Sequence, residues 1–146
     1  MEYEIVKDSI CDLAEIVELN RKIFIGMYES EPYSLSQYKS RLEGKNPLIG
    51  IVNVDNEIIA NSIAFRKENS LYLWILGVSK YHRNRGIASR LFDLNEDFAR
   101  NNGIDSVNTK VYPVSKEMIQ LVEKRGNEIT KTDAENGKAI HFRLDL

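Results

Sequence analysis

The chain has 146 residues, 42% of them hydrophobic and 29% charged, with 20 Lys and Arg against 22 Asp and Glu for a formal net charge of −2. These are values of one ordinary globular domain, and the near balance of charge gives no general attraction for nucleic acid or an anionic membrane, so any anion site must be local. The one cysteine, Cys11, cannot form an internal disulfide, no apolar run approaches the ~18 residues of a spanning helix, and Met1-Glu2-Tyr3-Glu4-Ile5 lacks a leader's basic start, so the cytoplasm is the expected compartment.

Tyr3 to Lys7 alternates as a short strand. Ser9 and Asp12 then open a helix whose apolar positions Ile10, Leu13, Ile16, Val17, Ile23, Phe24 and Met27 fall mainly on one face, ending near Gly26. Tyr28 to Ser34, polar and interrupted by Pro32, reads as a loop before a short helix from Gln37 to Leu42. Leu48 to Val54 and Ile58 to Phe65 flank the turn pair Asp55-Asn56 and predict a hairpin. Leu71 to Val78 is almost continuously apolar, which predicts a central strand covered on both faces. A helix from Gly86 to Asn102 places Ile87, Leu91, Leu94 and Phe98 at helical spacing and stops at Asn102-Gly103. Asp105 to Tyr112, closed by Pro113, is then a strand reached by a helical crossover and parallel to the one before it. Ser115 to Arg125 forms a last helix, and Glu128 to Thr132 and Ala139 to Leu146 form a closing antiparallel pair. The sum is a single domain over residues 1–146, α/β or α+β, with a mixed sheet of six or seven strands and helices on both faces.

Arg83-Asn84-Arg85-Gly86-Ile87-Ala88 breaks the ordinary charge rule. It sets two arginines at the start of a helix, where unpaired N–H groups already carry positive charge, whereas Arg21 and Lys22, and Lys124 and Arg125, lie at helix ends as the dipole favours. Something anionic is expected between them. Glycine at 86 and alanine at 88 let backbone approach a phosphate closely, yet the run is neither a Walker loop nor a three-glycine dinucleotide fingerprint.

The longer stretch Leu76-Gly77-Val78-Ser79-Lys80-Tyr81-His82-Arg83-Asn84-Arg85-Gly86-Ile87-Ala88-Ser89-Arg90-Leu91 resembles the acyl-CoA-binding segment of the GNAT superfamily of N-acetyltransferases. The resemblance implies that the strand end at Leu76, Gly77 and Val78 bonds the pantetheine arm, and that Arg83, Asn84, Arg85, Gly86, Ile87, Ala88 and Ser89 wrap the pyrophosphate of acetyl-CoA, with Ser115 standing where asparagine is common. Gly77 either lets the strand bulge there or marks close backbone packing.

The pattern also implies an acid and a base, and here the chain departs from it. Within Leu121-Val122-Glu123-Lys124-Arg125-Gly126-Asn127, Val122 occupies the position of a proton-donating tyrosine and Asn127 that of an aromatic. Tyr72 stands near the position where some members carry a glutamate and is not basic at neutral pH, leaving it to hold a water, while Tyr112 is a donor on position alone. Trp74, on the same strand face as Tyr72, lines a substrate pocket or belongs to the core. Glu29, Glu31 and Tyr33 lie in the loop that forms part of the family's acceptor site, where two carboxylates would steer a cationic amine. The expected reaction is direct attack of a primary amine, of a small molecule or a peptide, on acetyl-CoA, by a monomer or homodimer without metal, nucleic acid or membrane. A cofactor-binding sensor with reduced catalysis is the alternative that Val122 raises.

Overall fold

The computed structural model describes residues 4–7, 13–27, 32–133 and 139–146. Its elements in chain order are β1 (Glu4–Lys7), α1 (Leu13–Phe24), α2 (Leu35–Leu42), β2 (Leu48–Val54), β3 (Glu57–Lys67), β4 (Ser70–Val78), a 3-10 turn (Lys80–His82), α3 (Ile87–Asn101), β5 (Ser106–Val111), α4 (Lys116–Lys124), β6 (Glu128–Asp133) and β7 (Ala139–Asp145). The strands form one seven-stranded sheet in the order β1-β2-β3-β4-β5-β7-β6. Neighbours are antiparallel except β4 and β5, which run parallel because α3 carries the chain across.

Local chemistry explains the elements. Asp55 and Asn56 both take positive φ, 49° and 63°, as a two-residue hairpin turn between twisted strands requires. The helix α2 begins two residues before its expected start because Ser34 and Gln37 form a capping box: Ser34 Oγ accepts the Gln37 N–H at 3.2 Å and Gln37 Oε1 accepts the Ser34 N–H at 2.8 Å. The expected helix opening at Ser9 and Asp12, and Cys11 with it, lies outside the described residues.

Two apolar layers sandwich the sheet. On one face Leu71, Leu73, Val107 and Phe142 of the sheet pack with Phe92 of α3 and Val122 of α4, and on the other Ile63 and Ile75 pack with Ile16 and Val17 of α1 and Tyr38 and Leu42 of α2. Leu73 and Ile75 are two positions apart, yet they enter opposite layers. The register between β3 and β4 shifts at Ile63/Ala64, opposite Trp74, so one extra residue on β4 reverses the alternation. Helices cover β4 on both sides as its composition predicts, but Tyr72, Trp74, Leu76 and Val78 each remain half-buried. The end of α4 is tied to α3 by Arg125, which reaches Asp93 at 2.6 Å and the buried Glu96 at 3.0 Å while its guanidinium sits 5.4 Å from the Phe92 ring centroid.

Candidate active site

The sheet opens into a fork at its centre. Parallel pairing of β4 with β5 stops at Leu73↔Thr109, whereas β4 stays paired to β3 as far as Val78↔Ala60 and β5 to β7 as far as Val111↔Ile140. The inner edge of β4 beyond Leu73 therefore has no strand beside it. Because the Ser79 N–H bonds Ile59 O at 2.8 Å and backbone groups alternate sides, Gly77 turns its peptide groups to β3 while Leu76 and Val78 turn theirs to the fork. Thr109, at the branch point, is buried with its Oγ1 unpartnered. An elongated polar ligand lying between the strands would satisfy such an edge.

The arginine loop closes the end of that fork. Asn84 and Gly86 both adopt left-handed backbone, φ 62° and 75°, so successive N–H groups can converge, and Gly86 is the N-cap of α3 without a side-chain cap bond or an acid in the first turn. The space beside Gly86 is empty to 4 Å around the place a Cβ would occupy. Arg83, Asn84 and Arg85 are exposed, and Arg83 Nε donates to Val78 O at 3.3 Å, which ties the loop to the strand end. Ala88 and Ser89 are half-buried in the first turn, whereas the Ile87 side chain is core, so Ile87 can offer only its N–H to a ligand. Ser115 begins α4 just beyond β5, held by its N–H to Tyr112 O at 2.9 Å, and makes no side-chain cap bond. These donor sets fit the diphosphate and amide chain of a coenzyme A thioester.

On the opposite face, aromatic side chains gather beside the fork. Tyr33, Tyr38 and Trp74 have ring centroids 5.2 to 6.1 Å apart, and Phe65 lies 5.5 Å from Tyr72 and 6.4 Å from Trp74. Tyr33 and Trp74 thus meet, and Tyr72 joins them through Phe65. Burial, partly offset by the Arg41 charge and reinforced by Tyr112 and Tyr33, raises the Tyr72 hydroxyl above its ordinary range, which keeps it protonated. Glu29 and Glu31 lie outside the described residues.

Gly77 packs closely and is not the bulge. A Cβ there would meet Phe24 Cζ at 3.1 Å, Ile23 Cδ1 at 3.2 Å and Asn20 Oδ1 at 3.4 Å, and the bulge sits three residues upstream at Trp74. Beneath Gly77 lies a polar network that sequence reasoning missed. Asn61 Nδ2 donates to Asn20 Oδ1 at 2.7 Å, and Asn20 Nδ2 donates to Asn61 Oδ1 at 3.2 Å and Tyr38 Oη at 3.1 Å, all buried. Its signal was an asparagine within the apolar run Ile58 to Phe65, with another on the inward face of α1. Val122 is fully buried among core residues and offers no proton. Asn127 closes α4 instead of presenting an aromatic: its N–H and Nδ2 both donate to Val122 O, at 3.0 and 2.9 Å.

The model of the acetyltransferase (GNAT) family matches residues 13–127. The chain belongs to the GNAT family of acetyltransferases. Solved GNAT structures share its fold: PaiA N-acetyltransferase from Thermoplasma acidophilum in complex with coenzyme A is 20% identical, with 100% of each chain covered and a TM-score of 0.82. The ribosomal-protein-S18-alanine N-acetyltransferase from Escherichia coli is 16% identical over 99% of this chain and 94% of that one, TM-score 0.81. A NatC complex bound to Gag peptide and CoA is 22% identical over 100% and 99%, TM-score 0.82. Comparison with curated proteins gave no match. Among the described residues no helix of this GNAT protein is long and apolar enough to cross a membrane.

Proposed function

We propose that this protein is an N-acetyltransferase, one domain over residues 1–146, that moves an acetyl group from acetyl-CoA to a primary amine by direct attack with both substrates bound. The observation that carries the reading is the β4–β5 fork capped by the left-handed turn at Asn84 and Gly86. Acetyl-CoA supplies the acyl group as a thioester already activated toward an amine. The backbone N–H groups that Leu76 and Val78 turn to the fork are donors preorganised for the thioester carbonyl, and those of the first turn of α3, with Arg83 and Arg85, hold the diphosphate. Tyr72, protonated at neutral pH, positions the amine or a water that accepts its proton, and Tyr112, at the end of β5, stands on the other side of the fork. Ser115 borders the cofactor side, and Tyr33 and Trp74 form the apolar wall of the acceptor side.

With Val122 in the core, no side chain at its position protonates the leaving thiolate, which at an ordinary thiol pKa near ~8.5 departs through water. The test is release of CoA over a panel of amines alongside a thermal-shift titration with acetyl-CoA. Amine-dependent release above thioester hydrolysis establishes the transferase. A cofactor-dependent thermal shift with release held at hydrolysis for every amine would refute it in favour of a sensor.

A further inference from the structure

Among the described residues, cations line the aromatic side chains beside the fork, although the chain as a whole is slightly acidic at −2. Arg41 lies 5.5 Å from the centroid of Trp74, Lys67 lies 5.9 Å from that of Tyr72, and Lys110 lies 5.8 Å from that of Tyr112. Trp74, Tyr72 and Tyr112 thus each have a cation near the ring. Strand alternation places more charge on the same side. Val107, Thr109, Val111 and Phe142 point into the α3–α4 layer, so Lys110 on β5 and His141 on β7 project from the other face. Register then aligns Lys110 with His141 and His141 with Lys131 of β6, a basic row across three strands at the carboxyl end of β5. Lys110 and Lys131, both cationic at neutral pH, flank His141 in this row. Carboxylates share this face, with Asp133 of β6 two residues beyond Lys131 at the carboxyl end of β5. Glu128 pairs with Arg143, level with Asn108, and Asp145 pairs with Ser106 and is bonded to Arg143 at 2.7 Å.

We propose that the acceptor is an anionic amine, an amino acid or peptide whose reacting nitrogen is followed by carboxylates that Arg41, Lys67, Lys110 and Lys131 bind. The proposal rests on the transferase reading and names the substrate class of the same site. It differs from the expectation drawn from Glu29 and Glu31, which lie outside the described residues, because the described cations would repel a polyamine and draw in a carboxylate.

The experiment compares initial rates for peptides that share a first residue and continue with glutamate, glutamine or lysine, with free glutamate and spermidine as small-molecule arms. The acidic peptide should exceed the lysine peptide about tenfold or more in kcat/KM through KM, and the gap should narrow as ionic strength rises from about 0.05 to about 0.5 M. Free glutamate equal to the acidic peptide assigns the anion to an amino acid, and peptide preference assigns it to a chain; both support the proposal. The Lys110→Glu, Lys131→Glu double variant should reverse the preference while leaving KM for acetyl-CoA unchanged. Equal or better turnover of the lysine peptide or spermidine overturns the proposal and leaves the transferase intact. If no amine is turned over, anisotropy of labelled peptides on the acetyl-CoA-loaded protein decides: selective binding of the acidic peptide upholds the anionic site and removes the transferase, and no selectivity overturns the proposal.

Discussion

Replacing Gly86 with alanine separates the cost of a backbone conformation from the loss of a ligand site. Gly86 has φ 75° and Gly103 has φ 68°, and neither has an atom within 4 Å of the position a Cβ would take. The apo proteins Gly86→Ala and Gly103→Ala should therefore lose similar stability, about 1 kcal/mol each for alanine in left-handed backbone. Unfolding entropy of ~2.1 cal/mol/K per residue over 146 residues is about 0.3 kcal/mol/K, so each variant should melt about 3 °C lower. Acetyl-CoA at about one hundred times its Kd should stabilise the parent by about 2.7 kcal/mol, or about 9 °C. Gly103 closes α3 at the far end from the loop, so Gly103→Ala should keep that increment. In Gly86→Ala the methyl group enters the space assigned to the diphosphate; a hundredfold loss of affinity would leave about 0.4 kcal/mol, about 1 °C, at the same ligand concentration. Differential scanning fluorimetry of the three proteins with and without acetyl-CoA is the assay. A full ligand increment in Gly86→Ala, or its loss in both variants, would refute the assignment of the loop.

Gly77→Ala should destabilise by about 1 to 3 kcal/mol in urea melts, because its methyl group meets Phe24 and Ile23 at 3.1 and 3.2 Å; an unchanged midpoint would show that α1 yields freely. Removing the guanidinium in Arg125→Met leaves Glu96 buried without its cation and should cost about 3 kcal/mol, much of it restored by adding Glu96→Gln, with failure of that restoration in a double-mutant cycle counting against the clamp. Burial first, then the neighbouring Tyr33, push the Tyr38 hydroxyl up to about 12 against the lowering effect of its bond from Asn20. Its folded pKa is the higher one, so this contribution is complete below pH ~10 and is lost as pH rises through about 12, up to about 3 kcal/mol. Tyr38→Phe should flatten the stability profile over that interval, and an identical alkaline slope in parent and variant would contradict it.

Periodicity and punctuation were enough for the element order, since each signal is local: Asp55-Asn56 can close a hairpin, Asn102-Gly103 can end a helix, and a crossover helix between two apolar runs leaves only a parallel pairing. The unusual character of the arginine loop was legible for the same reason, its charge and its glycine being set within six neighbouring positions. Side-chain identity near 74 could not reveal the bulge, because Trp74 becomes the extra residue only when β3 fixes the register across from it. Gly77 admitted two readings until α1 was seen packed against it. Asn20, Tyr38 and Asn61 come from three separate elements, and Arg41, Lys67, Lys110 and Lys131 from four, so no spacing along the chain connects them. Local backbone preference and hydrophobic alternation act between near neighbours and can be read from order alone. The splaying of β4 from β5, and the sign of charge on the face beside it, depend on which strands sit together, which long-range packing decides.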